Sequence, residues 1–146
     1  MRLIKKTTSA IAVLALAACA GMTTASRTVN VSLSGSEEVP PVATSGSGRG
    51  SFTIADDGSV SGSVTTTGVP GTMAHIHQGA KGQNGGVIVP LAKSGDTYTA
   101  PAGAKLTEAQ MSAFKAGNLY VNVHTEKNKG GEVRGQLQPQ PTRSGY

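Results

Sequence analysis

The sequence predicts an all-β chain, a Greek-key β-sandwich with one short helix. Three observations predict it: short runs in which apolar and polar residues alternate, 20 glycines among 146 residues alongside abundant Thr, Ser and Val, and a single segment with helix signals at both ends. Successive side chains of a strand point to opposite faces, so an apolar residue at every second position marks a strand with one buried face.

Taken in order, Val29, Val31 and Leu33 mark the first strand, and Phe52 and Ile54 the second. Val60 and Val64 mark a third, after Asp56-Asp57-Gly58, a turn between alternating runs that signals a hairpin. Thr72 to His77, Gly86 to Leu91, Asp96 to Thr99, Leu119 to Thr125 and Glu132 to Gln138 continue the series. About eight strands at this spacing suit a sandwich with Greek-key links. Pro90 cannot donate to a ladder, which places its run at an edge or a bulge. The exception is Leu106 to Gly117: Thr107 can cap a helix, Gln110 can complete a capping box, and Leu106 can staple onto Met111. Gly117 supplies the stop. This helix is expected to close one end of the sandwich and to lead into the strand bearing His124.

The first 18 residues read as an export signal and not as part of the fold. Arg2, Lys5 and Lys6 form a basic head, and Ala10 to Ala18 is an uncharged run ending in small residues. That run is well short of the ~20 residues a spanning helix needs. Leu16-Ala17-Ala18-Cys19 resembles a bacterial lipobox, in which cleavage precedes the Cys and lipid is attached to it; Cys19 is the one cysteine of the chain. Residues 19–27 are then a flexible tether, 28–138 a single domain and 139–146 a disordered tail. Ala20 lacks the acidic character associated with inner-membrane retention, so a periplasmic or cell-surface protein on the outer membrane is expected if the cell is Gram-negative. Removing Arg2, Lys5 and Lys6 from 13 basic against 8 acidic side chains leaves a balance of +2. With no basic run interleaved with aromatics, nucleic acid is not an expected partner. The partners expected are the membrane, through the lipid on Cys19, and a protein.

All three histidines lie in two of these strands, Met73-Ala74-His75-Ile76-His77 and Tyr120-Val121-Asn122-Val123-His124. Alternation puts His75 and His77 on one face with Met73, and His124 with Tyr120 and Asn122 on the face opposite Val121 and Val123. Both strands thus turn their histidines away from the core. If the strands are close, three imidazoles converge, and three neutral nitrogens with an open position suit copper or zinc. Met73 is a candidate fourth ligand, and its thioether would favour Cu(I). Asn122, Glu126 and Glu132 are candidates to receive the outer N–H of an imidazole. Glu132 and Arg134, two apart on one strand, are expected to pair with each other, and Glu37 and Glu38 read as solvated loop residues. No Ser, Cys or carboxylate pair is placed for nucleophilic or acid–base catalysis, so no enzyme is expected.

Leu33-Ser34-Gly35-Ser36-Glu37-Glu38-Val39-Pro40-Pro41-Val42, Ala74-His75-Ile76-His77-Gln78-Gly79, Asn84-Gly85-Gly86-Val87-Ile88-Val89-Pro90-Leu91, Leu119 to Thr125 and Gly131 to Leu137 together resemble the CHRD domain, the family first described as repeats in chordin and seen widely in exported bacterial proteins. The resemblance runs from Val29 to Leu137. It implies an immunoglobulin-like or superoxide-dismutase-like β-sandwich in an exported protein, with no settled enzymatic activity. A dismutase site needs more histidines than three and normally a disulfide, so dismutation is not expected. The function expected is extracytoplasmic holding or delivery of a transition metal, copper first and zinc second, through His75, His77 and His124. The alternative is an adhesion or scaffolding module whose histidines are structural.

Overall fold

Alternation makes the strands, and the register of their pairing decides what each face meets. The structure, a computed structural model, describes residues 25–139. The predicted signal segment, Cys19 and the tail from residue 140 lie outside the described residues. Strands β1 (Ser26–Ser34), β2 (Ser47–Ala55) and β3 (Val60–Thr67) are followed by β4 (Gly71–Gln78), β5 (Val87–Pro90), β6 (Ala92–Ser94) and β7 (Thr97–Thr99). Helix α1 (Glu108–Lys115) precedes β8 (Leu119–Thr125) and β9 (Val133–Leu137). β1 starts at Ser26, so two residues assigned to the tether belong to the sheet: Ser26 pairs with Ala55, and the Asp56 N–H reaches the Ala25 carbonyl at 2.8 Å.

The strands form one antiparallel sheet in the order β5-β4-β8-β9-β1-β2-β3-β7-β6. Its two ends are joined through the chain itself. Only Leu91 separates β5 from β6, and its N–H donates to the Ala74 carbonyl of β4 at 3.0 Å. The run therefore pairs with β4 in its first half and with β7 in its second, which nearly closes the sheet. The all-β expectation holds, with the sandwich realised as one almost continuous sheet. Pro90 ends the edge strand β5, where a missing donor costs least. The links from β3 to β4 and from β7 to β8 skip across the sheet as Greek-key connections do. The second carries α1, whose capping box is formed: the Thr107 N–H donates to Gln110 Oε1 at 2.9 Å, and the Gln110 N–H to Thr107 Oγ1 at 3.3 Å. Among the described residues no helix is long and apolar enough to cross a membrane.

The enclosed face carries Val29, Val31, Leu33, Phe52, Ile54, Val64 and Ile76, all buried. β8 departs from alternation, for all seven of its residues are buried. Leu119, Val121 and Val123 join the core, while Tyr120, Asn122 and His124 lie on the other face beneath the loops 79–86 and 126–131. The histidines do turn away from the core: His77 and His124 enter a roofed polar layer, and His75 stays partly exposed.

Candidate metal centre

The pairing of β4 with β8 builds the site. Met73 lies opposite His124, His75 opposite Asn122 and His77 opposite Tyr120. Strand alternation then puts all six on one face. The three imidazole centroids are 4.9 to 5.9 Å apart, and one ligand nitrogen from each residue lies within 4.8 Å of the others. Bonds of ~2.0–2.1 Å hold nitrogens about 3 to 4 Å apart around one ion. His75 Nδ1 and His124 Nε2 already stand at 3.0 Å, so moving the His75 proton to its other nitrogen and a small side-chain adjustment would turn this pair into ligands. The three histidines can hold a metal ion.

Two backbone carbonyls decide which nitrogens are available. His77 Nδ1 donates to the Gly85 carbonyl at 2.9 Å, and His124 Nδ1 to the Lys129 carbonyl at 2.8 Å. Each bond puts the proton on Nδ1 and leaves Nε2 with its lone pair, the tautomer a ligand needs. His75 Nδ1 then donates to His124 Nε2. Burial depresses the proton affinity of His75, with the neighbouring His124 and His77 adding to it, and burial likewise lowers that of His77. Both are neutral at pH 7, the form that binds metal.

Two acceptors fit a cation better than they fit a closed core. His77 Nε2 and Asn122 Oδ1 are buried with no hydrogen-bond partner in the protein. A buried acceptor left unmatched costs about 1–3 kcal/mol. Both belong to residues on the histidine face, and a positive ion is what such lone pairs accept.

The remaining expected residues fall in different places. Met73 is half exposed, at 51 %, and lines an open pocket of about 230 Å³ with Thr72, His124, Thr125, Glu126 and Lys129. It stands at the mouth of the site beside His124. Glu126 is exposed on the same pocket. Asn122 donates through Nδ2 to the Gly130 carbonyl at 3.1 Å and so ties down a loop. Glu132 takes no imidazole N–H, because its carboxylate accepts from Thr125 at 2.7 Å, Thr44 at 2.9 Å and Asn128 at 3.3 Å. These bonds, Thr125 first, hold its carboxyl below the usual carboxylate range. The expected pairing of Glu132 with Arg134 does not form either. Arg134 lies over the Tyr120 ring, 3.5 Å from its centroid, and donates to Ala80, Asn84 and Gln136.

Glu37 behaves as a surface residue, pairing with Lys81 at 3.2 Å. Glu38 does not, being only 4 % exposed with Oε1 unpartnered. Burial pushes its carboxyl up to about 7, against a smaller opposing pull from Arg134. Sequence reasoning missed Glu38, Tyr120 and Arg134 as parts of the site. Tyr120 was within reach of the face argument, since it shares His124's parity. For Glu38 and Arg134 no local pattern signals burial.

The family model of the CHRD domain matches residues 29–137, from the first core valine of β1 to the end of β9. No curated protein and no solved structure matches the chain.

Proposed function

Since the chain belongs to the CHRD domain family and gathers all its histidines on one face, we propose that it is an exported protein, lipid-anchored at Cys19, that binds copper through His75, His77 and His124. Its work in this reading is to hold or deliver the ion outside the cytoplasm, without turnover. The carrying observation is the paired orientation of His77 and His124: each spends Nδ1 on a backbone carbonyl and turns Nε2 inward. That is the arrangement in which an imidazole is oriented for a metal, its outer N–H fixed and its basicity raised. Copper is favoured over zinc by the Met73 thioether at the mouth, because soft ligands select Cu(I).

One observation favours a structural use of the same residues. His75 and His124 already satisfy each other at 3.0 Å, and His77 stacks on Tyr120 at 4.8 Å. In that reading the domain is an adhesion or scaffolding module. Calorimetric titration of the purified protein with Cu(I), Cu(II) and Zn(II) separates the two. Binding of one ion per chain is expected, lost when His75, His77 and His124 are all changed to Ala. A folded triple variant that binds as tightly as wild type would remove the metal reading.

A further inference from the structure

We propose that Arg134 sets the charge of the ion this site accepts, favouring monovalent Cu(I) over Zn(II) and Cu(II). The inference rests on the metal-binding reading above and adds a reason for one oxidation state. Its basis is a stack across three adjacent strands. The His77 imidazole of β4 lies parallel to the Tyr120 ring of β8, with centroids 4.8 Å apart and planes within 6°, and the Arg134 guanidinium of β9 lies 3.5 Å from the Tyr120 centroid. A fixed positive charge therefore sits one aromatic ring from a ligand.

Among the described residues no ion pair neutralises that charge. Arg134 is 1 % exposed, and its hydrogen bonds go to neutral acceptors: the Ala80 carbonyl, Asn84 Oδ1 and Gln136 Oε1. Among the described residues the one ion pair is Lys81 with Glu37, so no carboxylate lies within ion-pair distance of Arg134. All three expected ligands are imidazoles, which bring no negative charge, and Glu126 is exposed at the mouth.

Coulomb energy is linear in the charge of each partner. Whatever positive potential Arg134 places at the site, a divalent ion meets twice the penalty of a monovalent one. Removing the charge should therefore shift the logarithm of affinity for Zn(II) twice as far as that for Cu(I). A variant that merely damaged the site would weaken both ions with no such ratio.

Competition titrations of the full chain with Cu(I) under reducing conditions and with Zn(II), on wild type, Arg134→Gln, Arg134→Lys and Glu38→Gln at pH 8, test this. Arg134→Gln is expected to raise Zn(II) affinity by about the square of its effect on Cu(I), for example about 100-fold against 10-fold. Arg134→Lys keeps the charge and is expected to keep the wild-type preference. Glu38, whose carboxyl burial pushes up to about 7, is ionised at pH 8 and opposes Arg134. Glu38→Gln should thus lower Zn(II) affinity more than Cu(I) affinity; if Arg134→Gln fails to fold, Arg134→Met, which removes the charge and keeps an apolar stem beside Tyr120, decides the matter. Equal shifts for the two ions in every folded variant would overturn the charge argument while leaving metal binding intact. A wild-type chain that binds neither ion would overturn both.

Discussion

Glu38 holds a carboxyl where a neutral group is better accommodated. It is buried beside Gly131 and Asn122 with one oxygen unpartnered, and burial pushes its titration up to about 7 from an ordinary 4.5. A folded-state value above the unfolded one gives stability that is complete below pH 4.5 and is lost as pH rises through 7. The difference corresponds to something on the order of 3 kcal/mol. Glu38→Gln keeps the shape and removes the titration. In urea unfolding of the metal-free protein, the variant should gain on wild type steadily between pH 4.5 and 8. His75 and His77 act with the opposite sign, their lowered values withdrawing stability as pH falls below 6.5, but they are common to both proteins and cancel in the difference. Parallel pH profiles for the two proteins would mean that the carboxyl titrates in the fold as it does in the unfolded chain.

The turn between β8 and β9 is the element on which the site depends. Lys129 receives the His124 N–H, Gly130 receives Asn122, and Gly131 has φ +134°. A Cβ at Gly131 would crowd the Glu38 carboxylate and the Asn122 amide in a backbone conformation that L side chains rarely adopt, which is why glycine stands there. Glu132 closes the turn by accepting from Thr44, Thr125 and Asn128. Glu132→Ala strands these donors, one of them on the buried Thr125. The change should cost about 2–3 kcal/mol in urea unfolding. It should also loosen the Lys129 carbonyl and weaken metal binding by about 10-fold or more, the usual effect of losing an outer hydrogen-bond partner. Full affinity in the destabilised variant would show that the turn does not orient His124. The same element shows what was legible beforehand. Face parity and the capping box of α1 are readable because they depend on residues a few positions apart, and both are found. The meeting of His75 with His124 spans 49 positions, and only the register of β4 on β8 brings it about. Parity allowed that contact without requiring it. The pairing expected of Glu132 and Arg134 fails for the same reason: one is claimed by Thr44, 88 positions away, and the other by Ala80 and Asn84. Local spacing cannot rank such distant competitors, so the roof over the histidines, with Glu38 beneath it, was invisible in the sequence.

At the scale of the molecule, a metal at this site would clamp one side of the sheet. Its ligands come from β4 and β8, and their outer bonds reach the loops 79–86 and 126–131, while β1, β2 and β3 pair on the far side of β9. A ligand present at 100 times its Kd stabilises the folded state by about 2.7 kcal/mol. For a domain of this size that is a rise in melting temperature of roughly 10 °C. Saturating Cu(I) or Zn(II) should produce such a rise, a chelator should reverse it, and the triple His→Ala variant should show none. Because burial lowers the proton affinity of His75 and His77, protons compete with the ion under acid conditions, and the rise should fade as pH falls below 6.5. Hydrogen exchange locates the effect. Added metal should slow the amides of 74–89 and 119–132 and leave the hairpin of β2 and β3 unchanged at sub-global opening. Uniform slowing across the sheet, with the same rise in the triple variant, would place the ion elsewhere on the protein.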